Sequence, residues 1–396
     1  MINLGFIGIG GYGKWQLDGF VPYRQAGRVN ICALADPSFE NLAAAGIEGA
    51  ELFADYREML GERADLDAIV ISAPIPVHLE IALDALERGL FVLLEKPPVP
   101  LLSQLTELIA ADTRQRVMVG FQHIYMPLVQ RIKEIAWSGE IGRIKSIRAV
   151  GIWPRDSAYY QRSRWAGQLF WEGRPTLDGP CTNGMAHFLN SLLFIGGSRP
   201  ADYARPAWLE GEVYRARPIP GYDLGGVRGV LDTEIAFSAA FSHAGAAALP
   251  GQIRVEGTAG SIELIANATK LRDARGHVLE GSDGKVELRE AFLDFVEGQP
   301  ACNLTSLAAM ESYVLTTNLM LQSSGGIHGI SPDYVTIQNP QTPEAIYSVP
   351  GWPEHFADPP HRAAWSREPR SLTPHDFDEQ LMLDLLPRPH PSLISL

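Results

Sequence analysis

Asn3–Gly13 reads NLGFIGIGGYG. Asn3–Ile9 is mostly apolar with little alternation, as in a strand buried on both faces of a parallel sheet. Gly8-Ile9-Gly10-Gly11-Tyr12-Gly13 follows at once as G-x-G-x-x-G, and Lys14–Ala26 reads as a helix. The first glycine permits a tight turn. The second lets the backbone approach a pyrophosphate, and the third lets helix and strand pack closely. The helix N-terminus adds amides and a positive dipole end. A second strand, Val29–Ala35, ends in Asp36, where a carboxylate that binds a ribose hydroxyl is expected. The stretch therefore predicts a dinucleotide-binding domain. Asp36 favours NAD over NADP, because a carboxylate repels a ribose phosphate and Pro37-Ser38-Phe39 brings no arginine or lysine to offset it. Asp36 also suits a turn before Pro37.

Working outward, the alternation of strand and helix continues. Asn41–Gly46 is helical in composition, Phe53 marks a short strand, and Tyr56–Gly61 a short helix. Ala68–Ser72 reads as a strand followed by the loop Ala73-Pro74-Ile75-Pro76-Val77-His78. Leu79–Arg88 is an amphipathic helix closed by Gly89. Phe91–Pro98 reads FVLLEKPP: four apolar strand residues, then Glu95 and Lys96, then two prolines that stop the strand. Ser103–Thr113 and Val117–Phe121 add a helix and a strand. This order predicts an α/β fold with a doubly wound parallel sheet over residues 1–122. Ligands bind beyond the carboxyl ends of such strands. Lys96 stands there, although a solvated charge pair at a strand end reads the same.

GFIGIGGYG, ALADPS, the loop APIPVHLEIALDALERG and above all LLEKPP resemble the glucose–fructose oxidoreductase, inositol dehydrogenase and rhizopine-catabolism family. The resemblance runs from Met1 to about Gly326. It implies a Rossmann domain followed by an α/β domain with a large, mostly antiparallel open sheet over residues 123–326. It implies hydride exchange between a nicotinamide cofactor and a hydroxyl or carbonyl carbon of a sugar, cyclitol or sugar derivative. The cofactor residues it implies are Gly8, Gly10, Gly11, Tyr12, Gly13, Asp36, Ala73, Pro74, His78, Glu95 and Lys96. Lys96 would stabilise negative charge developing on the substrate oxygen. Lys96–Pro97 is a candidate for the cis isomer, which proline makes cheap.

Beyond Gln122, Met126–Ser138 reads as a helix and Lys145–Trp153 as a strand. The loop that follows holds Trp153, Tyr159, Tyr160, Trp165, Phe170 and Trp171 with Arg155, Arg162, Arg164 and Arg174. Aromatic faces suit the C–H faces of sugars, and arginines fork onto carboxylates or phosphates. Phe170 and Trp171 read as packing anchors, and Tyr160 and Trp165 as site-lining residues, with His123 a further substrate candidate. Asn183-Gly184-Met185-Ala186-His187 reads as the opening of a helix, with positions 183 and 187 on one face. The family pattern there is D-x-G-x-H, which implies that His187 is the general base. Asn183 stands in the Asp position and Met185 in the Gly position. An amide can bind a substrate hydroxyl but cannot hold negative charge. Trp208–Arg217, Thr233–Ser242, Gln252–Glu256 and Ser261–Ala266 read as strands, with a hairpin turn at Gly257–Gly260. Ala291–Glu297 and Leu304–Ser323 read as helices. An apolar open sheet face would be covered by a second subunit, hence an expected homodimer or homotetramer.

The whole chain has 396 residues and a net charge of −13, which disfavours nucleic acid and anionic membrane surfaces as partners. Cys32, Cys181 and Cys302 are far apart and in no metal spacing, so no metal is expected and a reducing cytoplasm is. No charged leader with an apolar core precedes the first strand, and no apolar run reaches membrane-spanning length. Residues 327–396 form a tail rich in proline and aromatics, with Trp352, Phe356, Trp365 and Phe377, expected to pack on the domains or a neighbouring subunit and to be able to lid the site. His355, His361, His375 and His390 read as surface or structural. Two rival functions remain open from the sequence: a redox-neutral NAD-dependent glycoside hydrolase or lyase, and a non-enzymatic NAD-binding sensor.

Overall fold

The computed structural model describes residues 1–352 and 366–387. The described chain divides into two units, and the first takes Met1–Val99, Ser103–Tyr125 and Gly284–Glu311. Its strands are β1 (Ile2–Ile7), β2 (Val29–Ala35), β3 (Glu51–Phe53), β4 (Ala68–Ile71), β5 (Phe91–Leu94) and β6 (Val117–Val119). All pair in parallel, in the order β3-β2-β1-β4-β5-β6. The crossovers run through α1 (Tyr12–Gln25), α2 (Phe39–Ala44), α3 (Tyr56–Glu62), α4 (His78–Glu87) and α5 (Leu102–Ala111). Every side chain of β4 is buried, as a strand covered on both faces requires. The strand order reverses between β1 and β4, and that switch point opens a crevice at their carboxyl ends. The Rossmann layout is as expected.

The contiguous boundary at 122 is not what the structure shows. Gly284–Glu311 returns to the first unit. Arg28 explains part of this, since its guanidinium reaches Glu290 at 2.6 Å, Glu297 at 2.9 Å, and Asp294. The edge of β6 explains more. Val119 donates to the Thr305 carbonyl at 2.9 Å, and Met118 bridges Ser306 in antiparallel fashion. An open sheet edge needs such a cover. The single helix expected over 304–323 therefore starts later, because Thr305 and Ser306 are drawn into extended pairing.

The second unit takes Pro100–Leu102, Met126–Asp283 and the chain from Ser312. Its strands are β7 (Ile144–Ile152), the two-residue pair β8 (Phe170–Trp171) and β9 (Arg174–Pro175), β10 (Pro206–Arg215), β11 (Leu224–Leu231), β12 (Ala236–Ser242), β13 (Leu249–Gly257), β14 (Ser261–Ile265), β15 (Lys270–Arg272), β16 (Val278–Glu280), β17 (His328–Gly329) and the antiparallel tail pair β18 (Thr336–Gln338) and β19 (Ile346–Ser348). Nine of them form one sheet in the order β16-β15-β14-β13-β7-β12-β11-β10-β17. Only β7–β12 and β10–β17 pair in parallel. The helices of the remaining chain are α6 (Pro127–Ser138), α7 (Ser157–Gln161), α8 (Ala186–Gly196), α9 (Lys285–Val296), α10 (Glu311–Ser324) and, in the tail, α11 (Glu379–Leu385). All eleven residues of α8 are buried.

Sequence reasoning missed β11, LGGVRGVL, because its glycines break any alternation. Gly229 is there for close approach: a Cβ would lie 2.1 Å from the Trp208 carbonyl oxygen. The exposed face of the sheet carries charged pairs. Arg228 pairs with Glu210 at 2.9 Å, Arg254 with Glu256 at 2.8 Å and Arg272 with Glu263 at 2.9 Å, and Arg148 is exposed. Among the described residues this face thus mixes ion pairs with single exposed apolar side chains such as Trp208, rather than forming the apolar face that was expected.

The tail docks on the second unit. Ile330, Val349 and Trp352 pack with Tyr214, Leu224, Ala240 and Ala244. Leu372 bridges Leu209, and Gln322 donates to the Asp376 carbonyl at 2.8 Å. His375 is exposed, whereas Phe356, Trp365, His355, His361 and His390 lie outside the described residues. Among the described residues, no helix is long and apolar enough to cross a membrane, and no cluster of three potential metal ligands occurs.

Candidate active site

In the first unit the glycine loop joins β1 to α1. Gly8 has φ 78°, and a Cβ there would lie 2.6 Å from the Ala73 amide nitrogen. The glycine loop and the Ala73-Pro74 loop after β4 are thus pressed together. A Cβ on Gly13 would lie 2.0 Å from the Gly8 carbonyl oxygen. Gly11, at φ 52°, has open space on its Cβ side and supplies no side-chain cap to α1, whose first turn carries no acid. That leaves a helix N-terminus fit for an anion, so the residues present suit a dinucleotide pyrophosphate. Gly13→Ala is expected to weaken NADH binding at least tenfold, read by fluorescence titration. Unchanged affinity would reject this placement of the cofactor.

Asp36 is buried at the end of β2. Its carboxylate accepts from the Ile9 amide at 2.8 Å, the Ser38 amide at 2.9 Å and Asn41 Nδ2 at 3.0 Å. The structure shows the turn role: the protein's own donors hold the carboxylate against the glycine loop. Gly10 serves the same contact, since a Cβ would lie 2.6 Å from Asn41 Nδ2. Tyr12, the first residue of α1, stacks its exposed ring on Trp15 at 5.2 Å.

His78 is buried, and both ring nitrogens face backbone: Nδ1 lies 3.0 Å from the Pro97 carbonyl and Nε2 2.8 Å from the Ala73 carbonyl. Burial lowers its pKa, against the pull of those carbonyls. The imidazole thus clasps the Ala73 loop to the segment that follows Lys96. The Lys96–Pro97 bond is cis. Glu95 is buried at the end of β5. Gln16 donates to its Oε1 at 2.6 Å, and the Lys96 amide to its Oε2 at 3.2 Å. Arg289 donates in turn to Gln16 Oε1 at 3.1 Å. Gly19 makes room for that arginine, since a Cβ there would lie 2.0 Å from its Cζ. Burial raises the Glu95 pKa, opposed first by the Gln16 hydrogen bond and then by the Lys96 charge. Lys96 is half-buried. His123 sits in the 3-10 turn Gln122–Tyr125 and is buried.

In the second unit, Asn183 and His187 do not share one helix. Pro180–Gly184 is a π-helical turn, Met185 leaves helical geometry at φ −114° and ψ 23°, and α8 starts at Ala186. The Gly184 amide reaches back to the Gly179 carbonyl at 3.2 Å, and the Met185 amide to the Pro180 carbonyl at 2.7 Å. The widened turn admits a neighbour: a Cβ on Gly184 would lie 2.3 Å from His243 Nε2. Asn183 Nδ2 donates to Asp178 Oδ1 at 2.8 Å, and Asp178 Oδ2 accepts from the Gly167 amide at 2.6 Å. A carboxylate is therefore present beside position 183, supplied from five residues upstream. His187 is buried as the second residue of α8. The Tyr160 hydroxyl meets His243 Nδ1 at 3.2 Å. Trp165 joins this group through Arg162, whose guanidinium lies 5.5 Å from its ring and 3.5 Å from that of Tyr159. Sequence reasoning missed Asp178, Arg217, His243, Gln16, Asn41 and Arg289. His243 and Asp178 are isolated polar residues at a strand end and in a loop, without any spacing to mark them.

The first unit is a Rossmann domain with a glycine-loop cradle and a lysine just beyond the carboxyl end of β5. The second is a mixed-sheet domain with an aromatic, arginine-rich loop cluster. Residues 2–123 match the model of a family described as "Oxidoreductase family, NAD-binding Rossmann fold", and the resemblance read from the EKP segment is borne out. Inositol 2-dehydrogenase 4 of Saccharopolyspora erythraea is 33% identical over 126 residues, which are 31% of this chain and 37% of that protein. The matched part thus spans little more than a third of that relative's length. Two solved structures share the fold. The WlbA dehydrogenase of Bordetella pertussis, in complex with NADH and UDP-GlcNAcA, has a TM-score of 0.69 at 20% identity, covering 82% of this chain and 96% of that one. Levoglucosan dehydrogenase in complex with NADH has a TM-score of 0.67 at 18% identity, with the same two coverages.

Proposed function

We propose that the protein is an NAD-dependent oxidoreductase that exchanges a hydride with a hydroxyl or carbonyl carbon of a sugar, cyclitol or sugar derivative. The observation that carries the reading is Lys96 at the carboxyl end of β5, just before the Pro97 carbonyl that His78 ties to the Ala73 loop. The relatives named above support it. When bound, the nicotinamide cofactor accepts or returns the hydride. Gly8, Gly11 and Gly13 shape the pyrophosphate cradle, and the Asp36 carboxylate favours an unphosphorylated ribose, hence NAD. The Lys96 ammonium stabilises negative charge on the substrate oxygen. His187 takes the hydroxyl proton, and Asn183 binds a substrate hydroxyl. Cys32, Cys181 and Cys302 are free thiols, in keeping with a cytoplasmic protein.

Proton NMR of a sugar, glycoside and cyclitol panel with the purified protein and NAD, with NADH absorbance recorded alongside, tests the proposal. The expected result is a product with stoichiometric NADH. A product that needs NAD yet yields no NADH would replace the dehydrogenase with redox-neutral chemistry.

A further inference from the structure

Behind Tyr160 lies a buried cationic cluster that the roles above leave unused. Arg217 is 3% exposed and His243 2% exposed. Arg217 Nε donates to Asp223 Oδ2 at 3.0 Å, and its Nη2 donates to the Arg155 carbonyl at 2.6 Å. The same guanidinium lies 4.5 Å from the Tyr160 ring centre and 4.8 Å from that of Tyr347 in the tail. The Arg155 amide donates to the His243 carbonyl at 3.0 Å, and the Arg155 guanidinium lies 4.5 Å from the Tyr159 ring. The tail holds this loop in place. The Ala158 amide donates to the Pro343 carbonyl at 2.7 Å, and Asp156 bridges Ile346.

Three buried nitrogens in this cluster have no hydrogen-bond partner among the described residues: Arg155 Nε, Arg217 Nη1 and His243 Nε2. Natural proteins seldom leave such groups unmet, because burial without a partner forfeits their hydration. The charges point the same way. Asp223 neutralises Arg217, while Arg155 has no carboxylate partner among the described residues. Burial, then Arg155, Arg217 and Arg162, hold the His243 imidazole well below its ordinary pKa. Arg155, Arg217 and Asp223 together therefore carry one positive charge in excess, and neutral His243 adds none.

We infer that Arg155, Arg217, His243 and Tyr160 form a recognition pocket for a carboxylate, so that the substrate class is acidic sugars, aldonates or uronates. The inference rests on the reading of the second unit as substrate-binding. A monoanion balances the single excess charge, whereas a phosphate dianion overshoots it. Arg217 Nη1 and Arg155 Nε are charged N–H donors left over after the internal bonds, and such donors suit a carboxylate. The half-buried rings of Tyr160 and Trp165 suit the sugar's C–H faces.

Calorimetric titration of the full-length protein with gluconate, glucuronate, glucose, myo-inositol and glucose 6-phosphate tests this, with NADH formation read in parallel. Gluconate or glucuronate is expected to bind at least about tenfold more tightly than glucose or myo-inositol. Arg155→Gln is expected to collapse that preference and Arg155→Lys to restore part of it. Equal binding of acid and neutral sugar, tighter binding of the sugar phosphate, or an undiminished preference in Arg155→Gln would overturn the inference. The wild-type panel decides the matter even if a variant fails to fold. The parallel readout separates the two readings. An acid preference without NADH keeps the pocket and rejects the dehydrogenase. NADH from a neutral sugar with no acid preference does the reverse.

Discussion

Lys96→Met is expected to lower kcat by about 10²–10³-fold, the usual loss when one pre-organised donor to a developing oxyanion is removed. Methionine keeps much of the aliphatic stem and removes the ammonium, so packing at the end of β5 changes little. Steady-state rates on the best substrate of the panel measure the effect, and NADH fluorescence titration separates binding from chemistry. A kcat within about threefold of the wild type would remove Lys96 from the reaction. Glu95 provides a second readout. Its carboxyl is held above the ordinary value of 4.5 by burial, and Lys96 is one of the charges that opposes the rise. A raised folded-state pKa contributes stability that is fully present below the unfolded value and is lost as pH rises through the folded one. Without the Lys96 charge the Glu95 pKa moves further up and that loss grows. The melting-temperature deficit of Lys96→Met should therefore widen between about pH 5 and about pH 8.

The first unit was legible because its signals are local. A buried strand, a glycine loop and a following helix are contiguous, and the loop glycines have steric reasons to be there, as the Gly8–Ala73 and Gly13–Gly8 approaches show. Long-range closure was not legible. The return of Gly284–Glu311 depends on Arg28 meeting acids more than 260 positions away, and on a sheet edge that takes Thr305 and Ser306 out of a helical periodicity. The second unit hid more. The glycines of β11 serve backbone approach across the sheet, which reads in sequence as a loop. The π-helical turn at Pro180–Gly184 comes from room made for His243, a residue whose importance exists only in three dimensions. His187 and Lys96 carry family motifs and could be found. Gln16 and Arg289, which support Glu95, follow no motif.

The second large effect concerns the asparagine that departs from the family pattern. Asn183→Asp restores the usual residue, yet it is expected to destabilise the protein and reduce activity. The Asp178 carboxylate already accepts from Asn183 Nδ2 at 2.8 Å. A second carboxylate there would replace a donor by a like charge. Losing a charge-assisted hydrogen bond and gaining repulsion costs roughly 2–3 kcal/mol. At about 2–4 °C per kcal/mol for a unit of this size, that is a drop of roughly 4–12 °C in melting temperature. One of the paired carboxyls would take up a proton with a raised pKa, so the deficit should shrink as pH falls. Asp178→Asn alone also costs stability, because Asp178 Oδ2 accepts from the Gly167 amide at 2.6 Å and that charge-assisted bond is weakened. The exchange Asp178→Asn with Asn183→Asp rebuilds the pattern. An amide at 178 can accept from Gly167 with its oxygen and donate to a carboxylate at 183 with its nitrogen. The double variant should therefore regain at least half of the stability lost in Asn183→Asp, a coupling of about 1–2 kcal/mol in a double-mutant cycle. Thermal denaturation of the four proteins measures it. Additive losses would show that Asp178 and Asn183 do not act as a pair.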